Sequence, residues 1–376
     1  MKIKILTVVG ARPNFMKAAP IIRAIRAHNE RRQPMIEHVL VHTGQHYDEL
    51  MSERFFADLE LPKPDAFLKV RPGSHASQTA DILKSFEEVV IREWPDVVIV
   101  VGDVNSTVGC ALATAKLPCS SEKSRPLIAH VEAGLRSFDR DMPEEINRIV
   151  TDHLSDLLFV TENSGFSNLT KEGIPTEKIF FAGNTMIDSV LEFEASADKS
   201  RILEQLGLNS DGDGSALPYA LLTLHRPSNV DDRDTLQTIL AGLRPVASQM
   251  PIIFPVHPRT RKRIEEFGLN LDAIAKDGSG GANEPSHIQR GGIRLIEPLG
   301  YIDFLCLMKR ARLVLTDSGG IQEETTCLGV PCVTIRENTE RPVTVDHGTN
   351  IVAGTSVEGI RRAASRQMAM RFQQWK

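Results

Sequence analysis

Residues 96–101 read Asp-Val-Val-Ile-Val-Val, and residues 102–107, which follow directly, read Gly-Asp-Val-Asn-Ser-Thr. An unbroken run of β-branched residues predicts a strand that is buried on both faces, as strands are in a parallel sheet covered by helices. Residues 313–315 (Leu-Val-Leu) have the same character in the second half of the chain. Since ligands bind beyond the carboxyl ends of such strands, the polar residues that follow them are the first candidates for function.

Short β-branched runs alternate with longer amphipathic stretches along the chain, which is typical of an α/β protein. A length of 376 residues favours two domains, so we predict two doubly wound domains. Polar, glycine-rich loops are expected at 209–215, between the halves, and at 276–292. The predicted strands are 3–9, 37–41, 97–101, 127–131, 157–160 and 179–182 in the first half, and 219–224, 251–256, 293–296, 312–316 and 331–335 in the second.

Composition excludes several classes of protein. The net charge of −5 offers no basic excess to neutralise a nucleic-acid backbone, so we expect no nucleic-acid partner. No apolar stretch approaches the length of a membrane span, and the run at 3–9 is too short for a signal segment. The five cysteines form neither a C-x-x-C pair nor a Cys/His cluster with zinc spacing, so we expect reduced thiols, no metal site and a cytoplasmic location.

Charged residues follow the first and third predicted strands. Arg12 and Lys17 stand at the start of a helix, where the helix dipole favours anions over cations. A solvated helix end would explain them, but the conflict favours an anionic ligand facing both side chains. Asp103 suits a helix N-cap as well as a catalytic carboxylate, and the residues alone leave both interpretations open.

Glu132 comes directly after the predicted strand 127–131. A carboxylate at the end of a buried strand is costly unless it is paired or used. An ion pair with Arg136 is the structural interpretation, and we favour the functional one.

A helix is predicted from Pro143, with an apolar stripe formed by Ile146, Ile149, Val150 and Leu154. Glu144 and Arg148 fall on the opposite face, four residues apart. Taken alone, this spacing indicates a surface ion pair.

The second half carries two polar segments after strands. His225 and Arg226 fall in a loop, and residues 318–320 (Ser-Gly-Gly) precede a helix. Small residues at a helix N-terminus allow backbone N–H groups to approach a phosphate, so this segment suits a diphosphate. No G-x-G-x-x-G motif follows the first strand, so we expect no dinucleotide cofactor and no other cofactor.

Together these segments closely resemble the non-hydrolysing UDP-N-acetylglucosamine 2-epimerases over nearly the whole chain. The motifs that carry the resemblance are Gly-Ala-Arg-Pro at 10–13, His-Val-Glu-Ala-Gly-Leu-Arg at 130–136, Gly-Asn-Thr at 183–185, Pro-Val-His-Pro at 255–258, Asp-Ser-Gly-Gly-Ile-Gln-Glu-Glu at 317–324 and Thr-Glu-Arg-Pro at 339–342.

The resemblance implies a fold and a set of roles. It implies two Rossmann-like domains that face a cleft, as in type B glycosyltransferases, and a homodimer. Residues 1–184 would carry most catalytic groups, and residues 185–376 would bind UDP. The implied catalytic residues are Lys17, Asp103, Glu132, Glu144 and His225. The implied substrate- or UDP-binding residues are Arg12, Arg148, Leu299 (through its backbone, to uracil), Phe304, Ser318, Gly319, Gly320, Glu324 and Arg341.

The chemistry of the substrate narrows the mechanism. The C2 proton of N-acetylglucosamine is not adjacent to a carbonyl, so inversion requires either transient oxidation with NAD or elimination of UDP across C1–C2. Without a dinucleotide motif, elimination to a 2-acetamidoglucal is the consistent choice. The alternatives are a UDP-sugar glycosyltransferase and a hydrolysing 2-epimerase that releases UDP and N-acetylmannosamine.

The sequence departs from the family's pattern in three places. Residues 225–231 (His-Arg-Pro-Ser-Asn-Val-Asp) replace the His-Arg-Arg-Glu form, which leaves C3-modified and uronic-acid substrates open. The end of the chain, at 372–376, lacks the usual turn, so the family's final crossover helix is expected to be incomplete. Some members bind a second, activating UDP-N-acetylglucosamine, but here Asp48 and Ser77 occupy positions of that site, which predicts little activation.

Overall fold

The computed structural model describes residues 3–31, 35–45, 49–118, 124–209, 216–269, 271 and 291–369. The chain forms two compact units, Met1–Leu191 and Glu192–Lys376. Most of the predicted loop at 209–215, most of the insertion at 276–292 and the end of the chain at 372–376 lie outside the described residues.

Unit 1 is built on a seven-stranded parallel sheet in the order β3-β2-β1-β4-β5-β6-β7. Its strands are β1 (Ile3–Val9), β2 (Ile36–His42), β3 (Ala66–Phe67), β4 (Val97–Val101), β5 (Leu127–Ala133), β6 (Leu157–Val160) and β7 (Ile179–Phe181). Its helices are α1 (Arg12–Arg31), α2 (Glu49–Asp58), α3 (His75–Glu93), α4 (Asn105–Ala115), α5 (Pro143–Leu154) and α6 (Asn163–Lys171). Helix α7 (Thr185–Ala197) contains the division between the units.

Unit 2 has a six-stranded parallel sheet in the order β10-β9-β8-β11-β12-β13. Its strands are β8 (Ala220–Thr223), β9 (Ile252–Pro255), β10 (Ile293–Ile296), β11 (Leu313–Thr316), β12 (Cys332–Thr334) and β13 (Asn350–Val352). Its helices are α8 (Ile202–Gln205), α9 (Pro227–Val230), α10 (Arg233–Ala247), α11 (Pro258–Glu266), α12 (Tyr301–Arg310), α13 (Gly319–Leu328), α14 (Pro342–Asp346) and α15 (Val357–Ala369).

The burial of the inner strands explains why helices cover both faces of each parallel sheet. In β4, residues 98–101 are all buried, and the strand pairs in parallel with β1 and β5. In β11, every residue is buried between β8 and β12. Apolar side chains on both faces of these strands require helices on both faces, since each face must be removed from water.

Both sheets have the strand order of the Rossmann fold, and the expectation of two Rossmann-like doubly wound domains is confirmed. In such sheets the order reverses at a switch point, beside which ligands bind. The switch point lies between β1 and β4 in unit 1, and between β8 and β11 in unit 2. No helix in the described ranges is long and apolar enough to cross a membrane.

Candidate active site

The switch point of unit 1 is tied together by Asn14. Its side-chain oxygen accepts hydrogen bonds of 3.2 Å from the backbone N–H groups of Gly10 and Ala11, and its amide donates to the carbonyl oxygen of Val101 at 2.8 Å. The loop after β1 is thereby fixed to the end of β4, which places the side chains of both loops at one edge of the sheet.

Glu132 lies at this edge in a strained conformation. The register between β5 and β6 shifts between Val131 and Ala133, so Glu132 stands in a β-bulge, with a φ of 73°. A left-handed backbone costs a residue other than glycine about 1–3 kcal/mol, and such strain concentrates at functional sites. Bulges also redirect side chains, and this one turns the Glu132 carboxylate inward to a buried ion pair with Lys17.

Gly102, at the end of β4, is adjacent to that ion pair. Its φ is 68°, and a Cβ atom placed on it would lie 3.2 Å from both the Glu132 carboxylate and the Lys17 ammonium. A side chain at this position would therefore crowd the pair as well as strain the backbone.

Asp103 is held by Arg148. The Nε and Nη2 atoms of Arg148 donate to Oδ2 of Asp103 at 3.0 and 2.7 Å. The remaining terminal nitrogen, Nη1, donates to Glu145 at 2.6 Å. The side chain of Arg148 is only 2% exposed, whereas that of Asp103 is 24% exposed, so the arginine presents the carboxylate towards solvent.

Helix α5 buries the face that the sequence pattern assigned to solvent. Its buried residues are Glu145, Asn147, Arg148, Thr151 and Asp152. Ile146, from the predicted apolar stripe, is 37% exposed. The amphipathic interpretation of this helix was therefore wrong, because the polar face is buried against the ion pairs and backbone groups at the end of the sheet.

Glu145 takes the place in the ion-pair network that the i,i+4 spacing gave to Glu144. Besides pairing with Arg148, its carboxylate accepts from the backbone N–H groups of Ser137 and Phe138, at 2.9 and 3.0 Å. Glu144 is half-buried in the first turn of α5. The acid that orients Arg148 is thus three residues before it.

A second buried network, formed by His130, Asp152 and Arg136, contacts the chain on both sides of the bulge at Glu132. Nδ1 of His130 lies 2.7 Å from Oδ1 of Asp152, and its Nε2 lies 2.8 Å from the carbonyl oxygen of Gly102. Burial alone would raise the pKa of Asp152, but the charges and hydrogen bonds of His130 and Arg136 outweigh it and hold that pKa below its usual value. Arg136 also pairs with Glu172 at 2.7 Å, so its charge is engaged by these two acids.

Arg12, at the first position of α1, is half-buried in the same unit. Its guanidinium carbon lies 5.9 Å from the centre of the Phe55 ring, which is cation–π distance. The phenyl ring therefore supports the arginine at the start of the helix.

The switch point of unit 2 is organised by a buried carboxylate, Asp317. Its Oδ2 accepts from the backbone N–H groups of His225 and Arg226, both at 2.9 Å, and its Oδ1 lies 2.9 Å from Nδ1 of His225. Burial would raise the pKa of Asp317, but the charge and hydrogen bond of His225 hold it below its usual value. The His225 side chain is 50% exposed, so Asp317 orients an accessible imidazole.

The N-terminus of α13 begins beside a cluster of arginines and acids. Ser318 is its N-cap, and a Cβ atom on Gly319 would lie 2.3 Å from Oε1 of Glu340. Glu340 pairs with Arg336 at 2.7 Å and lies 3.6 Å from Arg226. Only glycine fits at 319 without displacing this buried carboxylate.

The other predicted binding residues lie around the same end of unit 2. Arg341 is buried, with its Nη1 3.2 Å from Glu323. Glu324 is buried in α13, and Gly320 is half-buried in its first turn. Leu299, after β10, and Phe304, in α12, are both half-buried.

Three residues that organise the site were not assigned roles from sequence. Glu145, Asp152 and Asp317 are all nearly or wholly buried carboxylates. Asp317 follows a buried strand just as Asp103 does, and that signal was available. Asp152 offered only an acid on a helix face, a pattern with no functional specificity.

The described part of the chain contains no group of three or more His, Cys, Asp or Glu side chains arranged to hold a metal ion. Buried carboxylates lie at one switch point, and cations lie beside a glycine-lined helix N-terminus at the other. In proteins generally, helix N-termini of the second kind can bind phosphate groups, and carboxylates like those of the first can act in proton transfer. The class they define is that of α/β enzymes acting on phosphate-linked substrates.

Comparisons with known proteins specify the family. The model of the UDP-N-acetylglucosamine 2-epimerase family matches residues 28–375. The UDP-N-acetylglucosamine 2-epimerase of Methanocaldococcus jannaschii is 43% identical over 365 residues, which cover 96% of this chain and 91% of that protein. This chain therefore belongs to the UDP-N-acetylglucosamine 2-epimerase family.

Two further similarities describe the relatives. The UDP-2,3-diacetamido-2,3-dideoxy-D-glucuronate 2-epimerase of Pseudomonas aeruginosa is 40% identical over 373 residues, which cover 98% of this chain and 94% of that protein. The crystal structure of the M. jannaschii 2-epimerase in complex with UDP-N-acetylglucosamine and UDP matches with a TM-score of 0.83 at 41% identity, covering 100% of this chain and 95% of that one.

Proposed function

We propose that this protein interconverts UDP-N-acetylglucosamine and UDP-N-acetylmannosamine by eliminating UDP across C1–C2 and adding it back. The observation that carries the proposal is the buried Glu132 carboxylate, held in a strained bulge at the switch point of a Rossmann-like unit. Strain of this kind persists only where the surroundings impose it, and it is expected at a catalytic group.

The proton balance of the reaction requires two groups. Elimination breaks the bond between C1 and the diphosphate oxygen while a carboxylate removes the C2 proton, which leaves a 2-acetamidoglucal and the UDP anion. Re-addition forms the C1–O bond again, with a proton delivered to C2 from the opposite face. Inversion therefore needs a base and an acid on opposite faces, and the candidates are Asp103, Glu132 and Glu144.

Cations in both units suit the remaining roles. Arg148 fixes Asp103 through two hydrogen bonds, and Lys17 supplies the charge beside Glu132. For the departing diphosphate we propose Arg12, Arg341 and the α13 N-terminus at Ser318, Gly319 and Gly320. Such donors stabilise developing negative charge, and removing one typically costs about 10²–10³ in rate.

His225, Leu299, Phe304 and Glu324 complete the proposed site. His225 is a half-exposed imidazole whose Nδ1 is held by Asp317, so Nε2 is the nitrogen available to a ligand. By resemblance, we assign Phe304 and Glu324 to the binding of UDP, and Leu299 to a backbone contact with uracil.

A second substrate is favoured by one comparison. The relative that acts on a 2,3-diacetamido uronic acid is 40% identical, against 43% for the one that acts on UDP-N-acetylglucosamine. Residues 225–231 also differ from the family's His-Arg-Arg-Glu form. UDP-2,3-diacetamido-2,3-dideoxy-D-glucuronate is therefore the second candidate substrate.

Proton NMR in D₂O tests the reaction and its rivals. The protein is incubated with UDP-N-acetylglucosamine alone, and in a parallel sample with the diacetamido uronate. Deuterium entering C2 with the nucleotide intact is the expected result. Net release of UDP and free N-acetylmannosamine would indicate a hydrolysing epimerase, and no change without an acceptor sugar would indicate a glycosyltransferase.

The proposal includes a homodimer, which rests on the resemblance. Size-exclusion chromatography with light scattering distinguishes one protomer of 41.6 kDa from twice that mass.

A further inference from the structure

The backbone of Glu132 is strained, so contacts with neighbouring residues must keep it in that conformation. A glutamate with a φ of 73° would relax if its neighbours were free to move. The strained conformation persists only where surrounding contacts fix the backbone on both sides. Besides the pairing of β5 with its neighbouring strands, one residue of helix α5 makes contacts on both sides of Glu132.

Asp152 holds β5 on both sides of the bulge. Its Oδ1 lies 2.7 Å from Nδ1 of His130, two residues before Glu132, and its Oδ2 accepts from the N–H of Gly134 at 3.1 Å, two residues after it. A single wholly buried carboxylate thus spans the bulge from one end to the other.

Further hydrogen bonds extend this network from Asp152 through His130 and through Arg136. Beyond Asp152, His130 reaches the carbonyl oxygen of Gly102 at 2.8 Å, and Gly102 lies against the Glu132–Lys17 pair. On the other side Arg136 pairs with Oδ2 of Asp152 at 2.7 Å and donates to the carbonyl oxygen of Leu135 at 2.7 Å. The His130 side chain before Glu132 and the Gly134 backbone after it are therefore both held by the same carboxylate.

We propose that Asp152 is the positioning residue for Glu132: it locks the bulge of β5 in the strained conformation that aims the Glu132 carboxylate. Only the kinetic consequence of this proposal rests on the proposed function. Because Asp152 is wholly buried, it does not contact the substrate, and its loss affects the rate through Glu132 alone.

A control residue lies on the same strand. Asp156 also accepts from a β5 backbone N–H, that of Ile128 at 3.0 Å, and also pairs with an arginine, Arg125, at 2.8 Å. It acts at the amino end of β5, away from the bulge. Asp156→Asn therefore removes a similar set of contacts without affecting Glu132.

The kinetic test compares the two variants. Asp152→Asn should lower kcat about 10²-fold while KM stays within about twofold, because small misplacements of a catalytic group have effects of this size. Asp156→Asn should leave kcat near the wild-type value. In a Glu132→Gln background, Asp152→Asn should have little further effect, since residues that act as a unit are not additive. A wild-type kcat in Asp152→Asn, or an undiminished loss in the Glu132→Gln background, would overturn the proposal.

A second measurement does not depend on activity. Amide hydrogen exchange at Gly134 should be faster in Asp152→Asn than in the wild type, and unchanged in Asp156→Asn. If Asp152→Asn does not fold, as judged by circular dichroism, His130→Gln replaces it in the kinetic test with the same kinetic expectations, because it breaks the contact of Asp152 with the residue two before Glu132. A wild-type protein inactive on both nucleotide sugars would overturn the proposed function. Unchanged protection of the Gly134 amide in Asp152→Asn would overturn the positioning role of Asp152.

Discussion

The two switch points have the same topology but present different groups at the ends of their strands. In unit 1 two carboxylates are held by buried cations, Glu132 by Lys17 and Asp103 by Arg148. In unit 2 the corresponding edge presents a helix N-terminus without a side chain at Gly319, with arginines nearby. The same fold thus brings paired carboxylates to one switch point and a helix N-terminus with nearby arginines to the other, and we propose proton transfer for the first and anion binding for the second.

Each switch point also contains a buried aspartate that accepts from a histidine. Asp152 holds His130, which is wholly buried, whereas Asp317 holds His225, whose side chain is half exposed. The first pair can act only on the protein's own backbone, and the second can reach a ligand. This difference in exposure is why we propose a positioning role for Asp152 and a binding or catalytic role for His225.

The largest expected effect lies in unit 1. Asp103→Asn and Glu132→Gln should each lower turnover by at least about 10²-fold, because a general acid–base group contributes about 10²–10⁴. The measurement is the rate of C2 deuterium incorporation by NMR, with circular dichroism to confirm folding. Glu93→Gln is the control, since that acid pairs with Lys4 at the amino end of β1. Near-normal turnover in both variants would show that neither Asp103 nor Glu132 performs the proton transfer.

A second prediction concerns the pH range over which titration of one buried group in each unit lowers the free energy of unfolding. Burial lowers the pKa of His42 in unit 1 from 6.5 to about 4. The unfolded chain then binds one more proton than the native state over this range, so stability falls as the pH drops from 6.5 to 4. The loss amounts to about 3 kcal/mol, since one pKa unit corresponds to about 1.4 kcal/mol. The pKa of Asp317 in unit 2 is lowered from 3.8, so protonation of this carboxylate costs stability only at about pH 4 and below.

Denaturant unfolding at pH 7, 6, 5 and 4 tests this difference. His42→Asn retains an acceptor for the Gly44 N–H, which bonds Nδ1 at 2.9 Å, and does not titrate. Its stability should change less with pH than that of the wild type. His153→Asn, at an exposed histidine, is the control for the loss of a histidine as such. Parallel pH profiles for the wild type and His42→Asn would contradict the assignment.

A smaller effect is expected for anion binding in unit 2. Gly319→Ala places a methyl group against Glu340 and should raise the Kd of UDP at least about tenfold, or about 1.4 kcal/mol, as measured by calorimetry. Cys327→Ala, near the far end of α13, is the control. An unchanged Kd would show that the α13 N-terminus does not contact the diphosphate.

The smallest expected effect is an absence of activation. Asp48, which lies outside the described residues, and Ser77 replace groups that would bind a second anionic ligand. We expect hyperbolic kinetics, and reverse turnover of UDP-N-acetylmannosamine without added UDP-N-acetylglucosamine. A lag in the reverse reaction that traces of UDP-N-acetylglucosamine abolish would contradict this prediction.

Sequence alone determined the fold of both units and the segments that form their switch points. All the strands that the apolar runs predicted are present, and the additional strands, β3 and β13, contain two and three residues. Hydrophobic periodicity identifies buried strands because burial on both faces leaves a continuous apolar run. Strands β3 and β13, each at the edge of a sheet, carry no such run, and only pairing with a neighbour defines them.

Tertiary structure decided the partners of the charged residues. The sequence placed Arg148 on an exposed face with Glu144, and the fold buries it between Asp103 and Glu145. The sequence offered Arg136 as the partner of Glu132, and the fold pairs Arg136 with Asp152 instead. Periodicity assumes that the apolar face of a helix is the buried one. At this site the buried face is polar, because charged side chains from strands distant in sequence meet there and compensate one another.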